Sequence, residues 1–118
     1  MISLKIFAAI ALSFPDTDQA PHFEIISFRV NKKIFATLNI PQKRGTLKFN
    51  KEYQDIFVSI GKGKINAVPN AWGRLGWTNI DLKDIDKTIL KDAMLIAWRC
   101  TAPKKYEKWY ADWYVDEE

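Results

Sequence analysis

The chain has 118 residues, 47% of them hydrophobic, which is enough for one domain with its own core and argues against intrinsic disorder. Its formal net charge is +4. A single cysteine, Cys100, and a single histidine, His22, exclude an internal disulfide and leave too few ligands for a zinc site. We therefore predict one domain over residues 1–118, without a metal or other cofactor, in a reducing compartment.

The first segment, residues 2–13, is predicted to be a helix with one buried face. Its apolar residues recur at helical spacing, at Leu4, Phe7, Ala8 and Ala11. The apolar run 6–14 superficially resembles the core of a signal peptide, but only Lys5 precedes it and no small-residue cleavage site follows before Pro15. It is also much shorter than the ~20 apolar residues of a membrane span. We predict a buried helix in a cytoplasmic protein.

Strand-forming residues dominate the next part of the chain. Residues 16–21 are polar and are predicted to form a loop. The β-branched and aromatic residues that follow predict three strands, at residues 23–30, 33–40 and 46–49. Asn31 and Lys32 lie between the first two, and asparagine tolerates the left-handed conformation that a tight turn needs. We predict a hairpin there and a second turn at residues 41–45.

A helix is predicted at residues 51–60, because Asn50 is a suitable N-cap and Gly61 can end the helix. Two further strands are predicted at residues 64–68 and 75–82, joined by a loop.

The last part of the chain is predicted to be helical. Acidic residues between positions 81 and 86 favour the start of a helix, through its dipole. The predicted buried stripe of this helix consists of Ile85, Ile89, Ala93, Ile96 and Cys100. Pro103 begins an extension, residues 103–118, with an extra amphipathic helix to about residue 114. The predicted order is α-β(3)-α-β(2)-α plus this C-terminal helix.

Basic residues are concentrated in the middle of the chain. Residues 29–74 contain ten basic side chains and two acidic ones, a local charge of +8 against −4 for the rest. Such asymmetry is typical of a surface that meets an anionic partner. The alternative is that lysine is simply a common residue on the solvent side of strands, and the sequence leaves both interpretations open.

Several short motifs together resemble the MmcQ/YjbR family. They are Pro21-His22-Phe23, Ser27-Phe28-Arg29-Val30, Lys33-Ile34-Phe35-Ala36-Thr37-Leu38, Trp72, Gly76-Trp77, Asp81-Leu82 and the helical stripe at residues 93–97. The match runs over about residues 4–105, and its specificity lies in the combination and spacing. The aromatic residues at 109–114 depart from the family pattern.

The resemblance implies an α/β (α+β) fold in which helices pack on an antiparallel sheet, similar to frataxin-like (CyaY-like) and secretion-chaperone-like domains. It also implies the "double wing" description, in which two β-hairpin wings are proposed to contact DNA.

No catalytic site is evident in the sequence. A nucleophile needs a nearby base, and the one histidine, His22, is interpreted as a hydrogen-bonded scaffold residue. The sequence Gly61-Lys62-Gly63-Lys64 lacks the length and the Lys-Ser or Lys-Thr ending of a phosphate-binding loop, so we interpret it as a helix stop and turn. We expect a binding protein and no enzyme.

The basic turns are the better candidate for a site, because lysine and arginine on hairpin tips can contact a phosphate backbone. The predicted nucleic-acid-binding residues are Lys32, Lys33, Lys43, Arg44, Lys48, Lys62, Lys64, Arg74 and Trp72. Trp72 in its loop can equally stack on a base or be structural, whereas Trp77, in a strand, is predicted to pack in the core. We expect the partner to be nucleic acid, with DNA favoured.

Two other functions stay open. One is a chaperone-like protein-interaction module, which forms a homodimer or captures a partner through the sheet or the C-terminal tail. The tail carries the aromatic residues Tyr106, Trp109, Tyr110, Trp113 and Tyr114, which either dock on the domain or form a dimer interface. The other is a small-ligand site near His22, Trp72 and Trp77.

Overall fold

The structure, a computed structural model, describes residues 2–107. Over this range the elements are α1 (Leu4–Ala11), β1 (Thr17–His22), β2 (Ile25–Val30), β3 (Lys33–Asn39), β4 (Arg44–Lys48), α2 (Lys51–Gly61), β5 (Ile65–Ala67), α3 (Ala71–Arg74), β6 (Trp77–Asp81), α4 (Lys87–Thr101) and a 3-10 turn at Lys104–Tyr106. The predicted α/β class is confirmed.

The strands form one antiparallel sheet in the order β1-β2-β3-β4-β6-β5. The first four strands follow one another as hairpins. The chain then leaves the sheet through α2 and returns so that β6, not β5, pairs with β4, while β5 forms the far edge. This arrangement places the β3–β4 turn and the segment before β5 at the same end of the sheet.

The two faces of the sheet differ because successive side chains of a strand point to opposite sides. In β4, Gly45 and Leu47 are buried in the core, whereas Arg44, Thr46 and Lys48 lie on the other side. The helices α1, α2 and α4 pack on the core side. We call the other side the open face. Within residues 2–107 no helix covers it except at its margin, where α3 lies. It consists of Thr37, Arg44, Thr46, Lys48, Trp77 and Asn79.

Helix α1 has the buried face that its spacing predicts, with Phe7, Ile10 and Ala11 in the core. Ser3 caps it by accepting a hydrogen bond from the Ile6 amide at 3.1 Å. No helix within residues 2–107 has both the length and the apolar character needed to cross a membrane.

The predicted loop at residues 16–21 is wrong, because Thr17–His22 forms the edge strand β1. It pairs with β2 from Thr17 opposite Val30 to His22 opposite Ile25. Its residues are mostly polar and include Pro21, so the sequence has no hydrophobic alternation to show a strand. An edge strand tolerates polar residues and a proline, because only one side of its backbone hydrogen-bonds to a neighbouring strand.

Helix α4 buries a different stripe from the predicted one. Leu90, Met94 and Trp98 are buried with Ala93 and Ala97, whereas Cys100 is exposed and Ile89 and Ile96 are only half-buried. The two stripes share Ala93, and the observed one buries larger side chains, including the indole of Trp98. Ile85 is buried as predicted, but it precedes α4.

Two further predictions concern the first residue of β6 and the C-terminal helix. The strand predicted at residues 75–82 begins only at Trp77, because Asn70 caps the short helix α3 before it, accepting from the Trp72 amide at 2.8 Å. The predicted C-terminal helix falls largely outside the described residues. Within them, Tyr106 packs on Trp98, with ring centroids 5.3 Å apart.

Gly76 is expected to be essential for joining α3 to β6. Its φ is +106°, and a β-carbon there would overlap the carbonyl oxygen of Phe49, whose amide donates to the Gly76 carbonyl at 3.0 Å. Gly63 also has a positive φ, +91°, but nothing lies within 4 Å of its β-carbon position. We predict that Gly63→Ala costs about 1 kcal/mol of unfolding free energy. Gly76→Ala should cost about 3 kcal/mol or more, because a steric overlap adds to the strain.

Urea unfolding of both variants measures this difference. Equal losses in the two proteins would contradict the account, since the two glycines share the unusual φ and differ in the nearby carbonyl.

Candidate functional site

The centre of the open face is a depression of about 510 Å³. Its floor comes from three neighbouring strands in register, where Thr37 of β3 faces Thr46 of β4, which in turn faces Asn79 of β6. Thr46 Oγ1 donates to Asn79 Oδ1 at 2.8 Å. The rim is apolar and aromatic, formed by Ile34, Val68, Pro69, Trp72 and Trp77. A polar floor between apolar walls suits a ligand that has both flat apolar surfaces and hydrogen-bonding groups.

Basic side chains cluster around Arg44, the first residue of β4. We call this part of the sheet the Arg44 end. The backbone holds two turns together there, since the Leu82 amide donates to Lys43 O at 3.2 Å and the Asp81 amide donates to Lys64 O at 2.9 Å. The depression between these turns is about 310 Å³, and its charged lining residues are Lys43, Arg44, Lys64, Asp81 and Lys83. Three lysines and one arginine outnumber the single carboxylate of this lining.

Arg44 lies in the wall between the Arg44-end depression and the central one, lining both. Its Nε is buried and has no hydrogen-bond partner among residues 2–107. A buried donor without an acceptor is rare in native proteins, because its desolvation is not compensated. The guanidinium therefore keeps unused hydrogen-bonding capacity at the border of the central depression.

A second basic group lies at the opposite end of β4; we call it the Lys48 end. The β2–β3 turn brings Lys32 and Lys33 there, with Asn31 and Lys32 at φ values of 50° and 68°, the left-handed pair typical of a tight hairpin. Lys33 and Lys48 line a shared depression of about 440 Å³. Lys48 Nζ donates to the Leu75 carbonyl at 3.0 Å and lies 5.7 Å from the centre of the Trp77 ring.

The segment that carries Trp72 is held by a buried amide. Gln54 of α2 is 1% exposed, and its Nε2 donates to Gly73 O at 2.9 Å and to Thr78 Oγ1 at 3.1 Å. Trp72 itself is 60% exposed, and its indole has no ring contact or hydrogen bond with the rest of residues 2–107. Trp77 is half-buried at the rim of the open face, so the prediction that it packs in the core is wrong.

The structure thus separates the predicted site residues into two groups at opposite ends of the sheet. Lys33 lies opposite the buried Val30 and lines its depression together with Cys100 and Thr101 of α4, so it belongs to the edge of the helix side and not to the open face. Lys43, Arg44 and Lys64 lie at the Arg44 end, where Lys62 directly precedes Gly63 of the lining. Lys32, Lys33 and Lys48 lie at the Lys48 end, where Arg74 directly precedes Leu75. Four residue steps along β4 separate the two ends, about 14 Å at the usual rise of a strand. Trp72, in the same short helix as Arg74, lines the central depression.

Some residues of this surface were not predicted from the sequence. Lys83 joins the Arg44 end from outside the basic stretch, and Thr37, Thr46 and Asn79 form the floor. The alternation Arg44, Thr46, Lys48 was the available signal, because every second residue of a strand shares a face. The partners of β4 could not be identified in this way, since β6 lies far along the sequence.

The small-ligand site expected near His22, Trp72 and Trp77 is not assembled. His22 ends β1, and β2, β3 and β4 separate that strand from β6, which carries Trp77. That is four strand spacings, about 19 Å. His22 is exposed, with its ring 4.5 Å from that of Phe23, and its side chain makes no hydrogen bond within residues 2–107, so it is not the predicted scaffold residue. No cluster of metal-ligating side chains occurs in the same range.

A further depression lies on the other side of the molecule, between α1 and α4. It measures about 540 Å³ and is lined mainly by apolar side chains: Ile6, Ala9, Ile10, Phe14 and Leu95, with Lys87 and Lys91 at its border. It is separated from the open face by the sheet and the core.

Arg29 also lies on the open side of the sheet, but it is paired with an acid. Its Nε and Nη2 donate to the two carboxylate oxygens of Asp18 at 2.7 and 3.0 Å. The Arg29 hydrogen bonds hold the pKa of Asp18 below its ordinary value, with a smaller contribution from the charge of Lys32. Because the folded-state pKa is lowered, the pair stabilises the protein at neutral pH and is lost as the pH falls through that pKa.

We predict that Arg29→Gln returns the pKa of Asp18 toward the ordinary value of an aspartate, and that Lys32→Gln raises it less. An NMR titration of the Asp18 carboxyl carbon in the three proteins measures this. An unchanged pKa in the Arg29 variant would show that the ion pair does not form in solution.

Comparison with known proteins agrees with this architecture. The sequence model of the YjbR family matches residues 12–100, and no curated protein matches. Among solved structures, the Deinococcus radiodurans protein DR2400, described as a DUF419 domain, is similar with a TM-score of 0.71 and 16% sequence identity. The similarity covers 83% of this chain and 77% of that one; at this identity it shows the fold alone. From the family match over most of its length, the chain belongs to the YjbR family.

Proposed function

We propose that this protein acts without catalysis as a DNA-binding protein, whose open face meets the phosphate backbone through the basic groups at its two ends. One observation carries the proposal: basic side chains from separate turns flank a single sheet face that lacks a helical cover in residues 2–107. Affinity for nucleic acid comes largely from neutralising phosphates and releasing their counterions.

Most of these charges are available to a partner. Of the eight basic side chains predicted for the site, Lys64 alone forms an ion pair within residues 2–107, with Asp84 at 3.2 Å. Lys32, Lys33, Lys43, Lys62 and Arg74 are exposed. None of these five forms an ion pair within residues 2–107, although the charge of Lys32 acts on Asp18. The excess of positive charge favours an anionic ligand over a neutral one.

The spacing of the two basic ends also supports the proposal. They lie about 14 Å apart along β4, far enough for each end to contact a different phosphate of the same nucleic acid. In this proposal the β2–β3 and β3–β4 turns, at opposite ends of the sheet, would act as the two wings that the resemblance implies. Contacts of this kind read the shape and charge of the backbone more than its sequence.

Salt dependence tests the phosphate contacts directly. If about six basic residues neutralise phosphates, a plot of log K against log salt should have a slope of roughly −5 on a duplex. The double variant Lys33→Gln/Lys43→Gln, which removes one exposed lysine from each end, should bind more weakly and reduce the slope by about 2. Fluorescence anisotropy of a labelled duplex, titrated at several salt concentrations, measures both quantities.

The matched control is Lys87→Gln/Lys91→Gln, which removes the same charge from exposed positions of α4 on the opposite side of the molecule. It should leave affinity and slope unchanged. If both double variants lose the same affinity, net charge and not the open face attracts the DNA. Binding that is absent at low salt, or insensitive to salt, would end the proposal.

A second candidate function is protein binding, and the depression between α1 and α4 favours it, since apolar side chains line most of its wall. The homodimer predicted through the aromatic C-terminal residues remains a prediction, because residues 108–118 are outside the described range. Light scattering of the full chain measures the oligomeric state. A monomer at high protein concentration would contradict the predicted homodimer.

A further inference from the structure

We infer that the open face binds single-stranded nucleic acid, with Trp72 stacking on a base, in preference to a duplex. The inference rests on the proposed function, because it takes nucleic-acid binding as given and specifies the form that is bound. It is carried by the exposed indole of Trp72 and by the apolar rim around it.

Trp72 is large, apolar and unused by the fold of residues 2–107. Its indole is 60% exposed and has no ring contact or hydrogen bond within that range, although Asn70 and Gln54 hold its backbone segment firmly. An anchored segment that presents an exposed aromatic ring suits a stacking platform, because the backbone that carries the ring is already in place before the ligand arrives.

The neighbours of Trp72 suit the face of a base and not the edge of a groove. Val68, Pro69 and Trp77 line the same depression, and Ile34 beside them is 40% exposed. A duplex keeps the flat faces of its bases stacked inside and presents phosphates, sugars and base edges. A single strand exposes the flat faces, so it can cover these apolar side chains while its phosphates reach the charged ends.

Polar groups under the rim complete the fit. Thr37, Thr46 and Asn79 offer hydroxyl and amide groups to the edges of an unpaired base. Arg44, with its unused Nε, lies in the wall toward one basic end, and Lys48 lies toward the other. A strand running along β4 would therefore meet a cation, a stacking surface and a second cation in turn.

Three probes of the same length, about 15 nucleotides and within the usual range of site sizes, test the inference. They are a labelled oligothymidine, its DNA duplex with oligodeoxyadenosine, and a labelled oligouridine. Each is titrated by anisotropy at low salt with the full-length protein. Stacking accepts either sugar, so the oligouridine shows whether RNA or DNA is the better single strand. We expect the better single strand to bind at least tenfold more tightly than the duplex.

The variant Trp72→Ala should weaken single-strand binding by about tenfold or more and leave duplex binding nearly unchanged, since stacking is typically worth this much per base. Trp72→Phe keeps an aromatic face and should retain most of the affinity. The control is Phe23→Ala, which removes an aromatic ring that is 90% exposed at the β1–β2 turn, away from the central depression. It should bind like the unmodified chain.

The outcomes separate the two proposals. Equal or tighter binding of the duplex, or no effect of Trp72→Ala on the single strand, overturns the single-strand inference and leaves salt-dependent DNA binding standing. Failure of all three probes to bind overturns the proposed function together with the inference. Melting temperatures of the variants close to that of the unmodified chain show that a loss of binding is not a loss of folding.

Discussion

The packing of α4 on one face of the sheet determines what the other face can do. Leu90, Ala93, Met94, Ala97 and Trp98 are buried where α4 packs on β3 and β4, with α1 and α2 on the same side. The strands must therefore turn their apolar residues toward this layer of helices. The period of two along a strand then sends the alternate residues to the opposite side. Along β4 these are Arg44, Thr46 and Lys48, so one constraint both fills the core and assembles the open face.

Short-range sequence signals predicted the local structure well at helix caps and tight turns, where a single residue type favours one conformation. Asn50 caps α2 as expected, accepting from the Tyr53 amide at 2.9 Å. The Asn31-Lys32 pair forms the tight turn between β2 and β3. At the end of α2 the left-handed position belongs to Lys62, φ 48°, one residue after the predicted Gly61.

Long-range pairing could not be predicted in the same way. The edge strand β1 lacks an alternating apolar pattern and exists because β2 offers it a hydrogen-bonding edge. The insertion of β6 between β4 and β5 brings Trp77 beside Lys48, a contact that no local motif encodes. Arg44, predicted in the turn at residues 41–45, is the first residue of β4, and Arg74, predicted in a loop, lies in α3. The division of the candidate residues between two ends of the sheet required the topology.

The open face combines features that usually occur apart. Its ends carry an excess of positive charge, its rim is apolar with an exposed indole, and its floor is polar. Charge alone would suit any polyanion, and an apolar depression alone would suit many small molecules. Together they favour a ligand with alternating phosphates and flat rings, which is the chemistry of nucleic acid.

Mapping of the bound surface by NMR tests this account most directly. In a titration of the isotope-labelled protein with oligothymidine or a short duplex, the amides of Thr37, Thr46, Trp72 and Asn79 should shift together. Those of Ala9 and Leu95, in the depression between α1 and α4, should not. Shifts confined to α1 and α4, or none at all at saturating nucleic acid, would contradict the assignment of the open face as the binding surface.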